Sequence, residues 1–191
     1  KEVSKINFEK QGNLEKVKAC KMKNQISVEE NLINLISKIG EKITVRRAKF
    51  FNKKQGKNYF YVHSSIDKNI GKIVSVVKLL NSEDKDLGQK MAMHIAATNP
   101  ISIDKGGIEK SIIDKELEII KEELMNSGKK GDIAEKISKG KINKFISENT
   151  LLNQIWIMDS QKKVSDILKE NNKTGQIQIL DFIRFKVGEG V

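Results

Sequence analysis

From Ser27 onward the apolar positions fall into a helical period. Leu32, Leu35, Ile36 and Ile39 share one face, as a turn of 3.6 residues requires. Ser27-Val28-Glu29-Glu30 has capping-box spacing, in which the Ser and Glu side chains satisfy free N–H groups at a helix start. Gly40 stands where a left-handed C-terminal cap belongs. Upstream, residues 1–25 are rich in Lys and Asn and weakly patterned, and read as a tail or an unsupported helix.

Beyond Gly40 the period changes to two. Ile43 and Val45 alternate with Thr44 and Arg46, and aromatic and β-branched residues fill 59-YFYVH-63 and 73-IVSVV-77. These read as three strands of an antiparallel meander. The helical period returns at Asp86, with Leu87, Met91, His94 and Ile95 near one face and Ala92, Met93, Ala96 and Ala97 filling most of the rest. That helix is expected to be buried nearly all round, and Pro100 stops it.

A second helix is predicted from Ile108 to Asn126, with an apolar seam at Ile113, Leu117, Ile120 and Leu124 that breaks at Gly128 and Gly131. A third covers 132–152, opened by Asp132, and a shorter amphipathic one covers 163–170. Between the last two lies 153-NQIWIMD-159, which reads as an exposed loop rich in large apolar groups. Helices joined this way favour an antiparallel hairpin projecting from the globular part. The closing segment 177–191 alternates apolar and charged residues from Ile183 and is predicted to return as a strand. The sum is an α+β chain.

Composition narrows the function classes. The 191 residues contain no signal-like or membrane-spanning apolar run, so no membrane association is expected. A single cysteine, Cys20, excludes an internal disulfide, and with only His63 and His94 it cannot complete an ordinary zinc cage. A reducing compartment is the default. The net charge of +11 suggests nucleic acid, but the lysines are interleaved with acids, as in 113-IDKELEIIKEEL-124, in the manner of solvated helix faces. Arginine, the residue suited to planar phosphate and base recognition, occurs only at Arg46, Arg47 and Arg184. A basic RNA- or ribosome-associated module is therefore the alternative reading, with no direct nucleic-acid contact expected in the main one. The start at Lys1 and the end at 187-VGEGV-191 suggest a fragment.

Candidate chemistry is thin. No phosphate-binding G-x-x-x-x-G-K-[ST] loop, H-E-x-x-H, C-x-x-C or G-x-S-x-G is present, so no cofactor or metal is expected. Glu122 and Glu123 lie on a Lys-rich helix and read as ion-paired surface. Cys20 reads as an incidental thiol despite Lys18 and Lys21 nearby, and His63 as a half-exposed strand end. His94 is either a core histidine whose ring finds a hydrogen bond or a functional residue. As a general base it would need an orienting acid, and the neighbouring turns supply none.

Four segments in order carry a resemblance: 34-NLISKIGEKITVRRA-48, 93-MHIAATNP-100, 135-EKISKGKINKF-145 and 182-FIRFKVGEGV-191. Together they resemble elongation factor Ts, the guanine-nucleotide exchange factor for the translational GTPase elongation factor Tu. The resemblance implies two small α+β subdomains with antiparallel sheets covered by helices, plus an inserted antiparallel helical hairpin or coiled coil. On this chain these map to 1–85, to 86–127 with 175–191, and to 128–174.

The resemblance also implies no bond-making enzyme activity, and a partner, elongation factor Tu, bound in its GDP and nucleotide-free forms. It favours the bacterial cytoplasm over an organelle matrix and leaves a homodimer open. The family's ubiquitin-associated-like amino-terminal domain and its Thr-Asp-Phe-Val stretch have no counterpart in these residues. The partner contacts implied are Ile70 and Gly71, in the place of an R-I-G turn, and Met93 and His94, in an M-H-I/V-A-A block. Ile155 and Trp156 are added because 154-QIWI-157 stands where the family has Q-P-F-V.

Overall fold

A computed structural model describes residues 1–172 and 175–190. The chain divides into two compact units, Lys1–Lys54 and Gln55–Val191. In the first, helices α1 (Glu2–Glu9), α2 (Leu14–Ala19) and α3 (Val28–Ile39) gather around buried Ile6, Val17 and Val28, with Val3, Cys20, Met22 and Leu32 packed against them. The capping box forms as expected: Ser27 Oγ accepts the Glu30 N–H at 3.1 Å, and Glu30 Oε2 accepts the Ser27 N–H at 3.1 Å. Gly40 ends α3 at φ 75°.

One expectation for this unit is resolved and one changes. Of the two readings of residues 1–25, a tail or an unsupported helix, the structure takes the second, as two short helices. Each buries a single apolar residue, Ile6 or Val17, so tertiary contact supports a pattern too sparse to show a period. Residues 42–51 form no strand, although Ile43 and Val45 alternate. Alternation favours an extended backbone, but a strand also needs a hydrogen-bonded neighbour. An edge-to-face pair of Phe8 and Phe50, 5.4 Å apart, and the Asn7 Nδ2 bond to the Lys49 carbonyl at 3.0 Å occupy this stretch instead.

The second unit is built on a three-stranded antiparallel sheet of order β1-β2-β5, from β1 (Lys57–Asp67), β2 (Ile70–Leu80) and β5 (Gln178–Lys186). Tyr59 lies opposite Val77, which lies opposite Phe182 in turn. Helix α4 (Lys85–Thr98) lies across one face, where Tyr59, Val77, Leu79, Met91, Ala92 and Ile95 form the core. Asp84 caps α4 by accepting the Asp86 and Leu87 N–H groups. Gly88 lets the helix approach the sheet, since a Cβ there would lie 2.2 Å from the Tyr59 ring. At the far end, Arg184 Nε donates to the Ala96 carbonyl at 2.9 Å, and the left-handed cap Asn99 precedes Pro100.

Helices α5 (Lys110–Asn126) and α6 (Gly131–Asn149) pack together. They run antiparallel: Ile120 and Glu123 face Lys141 and Phe145, while Leu124 and Met125 face Ala134 and Ser138. A Glu123–Lys141 ion pair crosses between them. The packed partner of α6 is thus α5, whereas the sequence pattern suggested the helix near 163–170. That helix, α7 (Val164–Glu170), buries Val164 and Leu168 in the main core instead. After α6 a 3-10 turn at Leu151–Asn153 returns the chain to the core through the fully buried Leu151. One sheet therefore joins residues 57–80 to 178–186 and the helix pair spans 110–149, where the sequence reading drew boundaries at 85 and 127. Among the described residues, no helix is long and apolar enough to cross a membrane.

Candidate functional site around His94

His94 sits one turn before the C-terminal end of α4 and is fully buried. Facing it is the short hairpin of β3 (Ile155–Trp156) and β4 (Asp159–Lys163). The segment read as an exposed loop is therefore ordered and half inside. Trp156 is only 4% exposed and stacks on the imidazole with ring centroids 5.1 Å apart at 24°. Strand alternation then turns Ile155 outward, 51% exposed, and the turn residues Ile157 and Met158 are 42% and 41% exposed.

Every polar atom of the ring is used. The Ile157 N–H points at His94 Nδ1 at 3.4 Å, so Nδ1 acts as the acceptor and the proton resides on Nε2. Nε2 donates to Gln154 Oε1 at 3.1 Å. The amide of Gln154 is oriented by its own donations, to the Glu148 carbonyl at 2.8 Å and to the Thr98 carbonyl at 3.5 Å. Thr98 Oγ1 lies 2.9 Å from both Gln154 Oε1 and the His94 carbonyl. Burial strips hydration from the imidazolium and lowers the His94 pKa from 6.5 to about 4, with the Gln154 bond opposing the shift. The ring is neutral at physiological pH. With Gln154, Trp156 and a backbone N–H around it and no orienting carboxylate bonded to it among the described residues, its chemistry is that of a structural latch.

The two readings left open for His94 are thereby separated. The ring is a core histidine with satisfied hydrogen bonds, and neither it nor Trp156 presents a surface to a partner in this conformation. Met93 beside it is half-buried. Ile70 and Gly71 lie elsewhere, at the start of β2 after the tight turn with Asn69 at φ 62°. Ile70 is 37% exposed. Gly71 is needed because a Cβ there would sit 2.5 Å from Val62 Cγ1 and 2.6 Å from the His63 carbonyl oxygen. The structure thus joins His94, Trp156 and Ile155 in one cluster, with Ile70 and Gly71 in a separate turn. Sequence reasoning missed Gln154 as the ring's side-chain partner, and Thr98 as the hydroxyl beside Gln154 and the His94 carbonyl. Thr98 had a local signal, one helical turn after His94, while Gln154, 60 residues away, had none.

No group of three or more metal-ligating side chains occurs among the described residues. The sequence profile of the family described as Elongation factor TS matches residues 1–189. Elongation factor Ts of Rickettsia bellii (strain OSU 85-389) is 37% identical, over 94% of this chain and 60% of the relative. That of Methylorubrum extorquens (strain PA1) is 35% identical over 100% and 64%. A third, from Clostridium kluyveri, is 37% identical over 86% and 54%. The chain spans about three fifths of the length of the curated relatives it matches. With the four motifs in order and an α+β fold that accommodates them, the chain belongs to the elongation factor Ts family.

Proposed function

We propose that this chain binds elongation factor Tu and promotes release of its GDP. The observation that carries the reading is the family match across residues 1–189, to which the structure adds an apolar tip, Ile155, Ile157 and Met158, exposed above a buried latch. The GTPase is bound in both its GDP and nucleotide-free forms, and binding the latter more tightly must weaken GDP by the same factor. Charge-assisted bonds to a phosphate are worth roughly 1.5–3 kcal/mol each. Disturbing two or three of them therefore accelerates release by several decades.

Within the contact set drawn from the sequence, Ile155 and Ile70 are the most exposed members, and they meet the partner together with Ile157 and Met158. His94 and Trp156 act from beneath, by holding the tip. The bacterial cytoplasm is the compartment this reading implies. The test is release of fluorescent GDP from elongation factor Tu with and without the chain, combined with gel filtration. Acceleration and a co-eluting complex support the reading; unchanged release with no complex overturns it. Binding to RNA with a steep salt dependence, in place of the GTPase, would favour the basic-module alternative.

A further inference from the structure

The β3–β4 tip poses a mechanical question: how does a two-residue turn carrying exposed Ile157 and Met158 keep one conformation? Its strands are short, pairing Ile155 with Lys163 and Trp156 with Asp159 across an irregular register. Such a ribbon is weak by itself. What ties the turn to α4 is the Ile157 N–H donating to His94 Nδ1 at 3.4 Å. That bond exists only while Nδ1 carries no proton.

A neutral imidazole has two tautomers, and the one with the proton on Nδ1 would set two N–H donors against each other. Gln154 decides between them. Its Oε1 lies 3.1 Å from His94 Nε2, and its amide cannot turn over without losing the donation to the Glu148 carbonyl at 2.8 Å. Gln154 is itself 5% exposed and held through its backbone, where its N–H donates to the Thr150 carbonyl and its own carbonyl accepts from Val164, both at 3.0 Å.

We propose that Gln154 is a positioning residue for partner docking: by accepting the Nε2–H of His94 it selects the tautomer that receives the Ile157 N–H, and so sets the exposed Ile155–Met158 tip. The docking half of this rests on the reading that the tip meets the GTPase. The tautomer half stands on the hydrogen bonds alone.

The full chain labelled with nitrogen-15 gives the test. In the wild type the ring-nitrogen shifts of His94 should show protonation on Nε2 at neutral pH, with a slowly exchanging Ile157 amide. Gln154→Met keeps the length and removes both donors and the acceptor. It should shift His94 toward the Nδ1–H form, speed Ile157 exchange by about tenfold or more, and weaken binding to elongation factor Tu by about tenfold.

Tyr59→Phe is the control. It removes a buried hydroxyl that donates to the Ser82 carbonyl at 2.9 Å, outside the His94 network, so it should lower stability without moving the tautomer, the Ile157 exchange or the affinity. The proposal is overturned if wild-type His94 carries its proton on Nδ1, if Gln154→Met leaves Ile157 exchange unchanged, or if Tyr59→Phe reproduces the same effects. Should Gln154→Met fail to fold, Gln154→Asn, which withdraws the acceptor by one methylene, is read in the same way. If the wild type does not bind the GTPase at all, the partner reading fails, and the ring-nitrogen and exchange data separately decide whether Gln154 sets the tip.

Discussion

Acidification tests the His94 latch through a number that the structure supplies. In the folded chain burial holds the imidazole at a pKa of about 4, against 6.5 for an exposed histidine. Between these values the unfolded chain takes up a proton that the folded chain refuses, so stability falls as pH drops through 6.5 and levels off below 4. At and above about pH 7.5 both states are neutral and this group contributes no slope. Lowering pH from 7.5 to 5 should therefore cost about 2 kcal/mol from this one residue.

Carboxylates add to acid destabilisation mainly below about pH 5, which keeps the window clean. Urea unfolding at several pH values, with constant m, measures it. His94→Gln removes the titration, so this variant should be less stable at pH 7.5 and flatter between pH 7.5 and 5. Equal slopes in the two proteins, or a His94 titration near 6.5 in the folded chain by NMR, would refute the buried-latch argument.

Other substitutions probe separate parts of the fold. Gly88→Ala should destabilise by about 1–3 kcal/mol despite its better helix propensity, because the new Cβ meets the Tyr59 ring at 2.2 Å; a more stable variant in thermal unfolding would contradict that contact. Ser27→Ala should cost about 0.5–2 kcal/mol and speed amide exchange in the first turn of α3, and unchanged exchange there would show the capping box to be inert. Ile157→Ser should leave thermal stability within about 0.5 kcal/mol, since the side chain is 42% exposed, yet weaken binding to elongation factor Tu. Full retention of affinity would remove the tip from the interface.

Legibility in the sequence tracked how locally each feature is determined. The capping box at Ser27 and Glu30, the left-handed cap at Gly40 and the stop at Pro100 are set by near neighbours, and all three stand where the pattern put them. Strands β1, β2 and β5 were readable because their apolar content and alternation agree with a half-buried sheet. Residues 43–46 showed the same alternation without forming a strand, since pairing depends on a partner that alternation does not specify.

The helix near 163–170 was found, but its destination was misassigned. Val164 and Leu168 suit a core as well as a coiled coil, and in the structure they join Leu151 in the main core. At the site, an apolar helix carrying His94 pointed correctly to a buried ring with a hydrogen bond. Its partner Gln154 lies 60 residues away, a separation that no local pattern encodes. Burial, which the family motifs do not encode, decides which side chains of their segments face outward.

On the proposed reading this chain, though it spans about three fifths of its relatives' length, promotes nucleotide exchange on elongation factor Tu. Stopped-flow release of a fluorescent GDP from elongation factor Tu, titrated with the 191-residue chain, tests it most directly. The account predicts a release rate that rises with chain concentration and saturates, and that is lowered in Gln154→Met. A rate independent of chain concentration, with no complex on gel filtration, would contradict it.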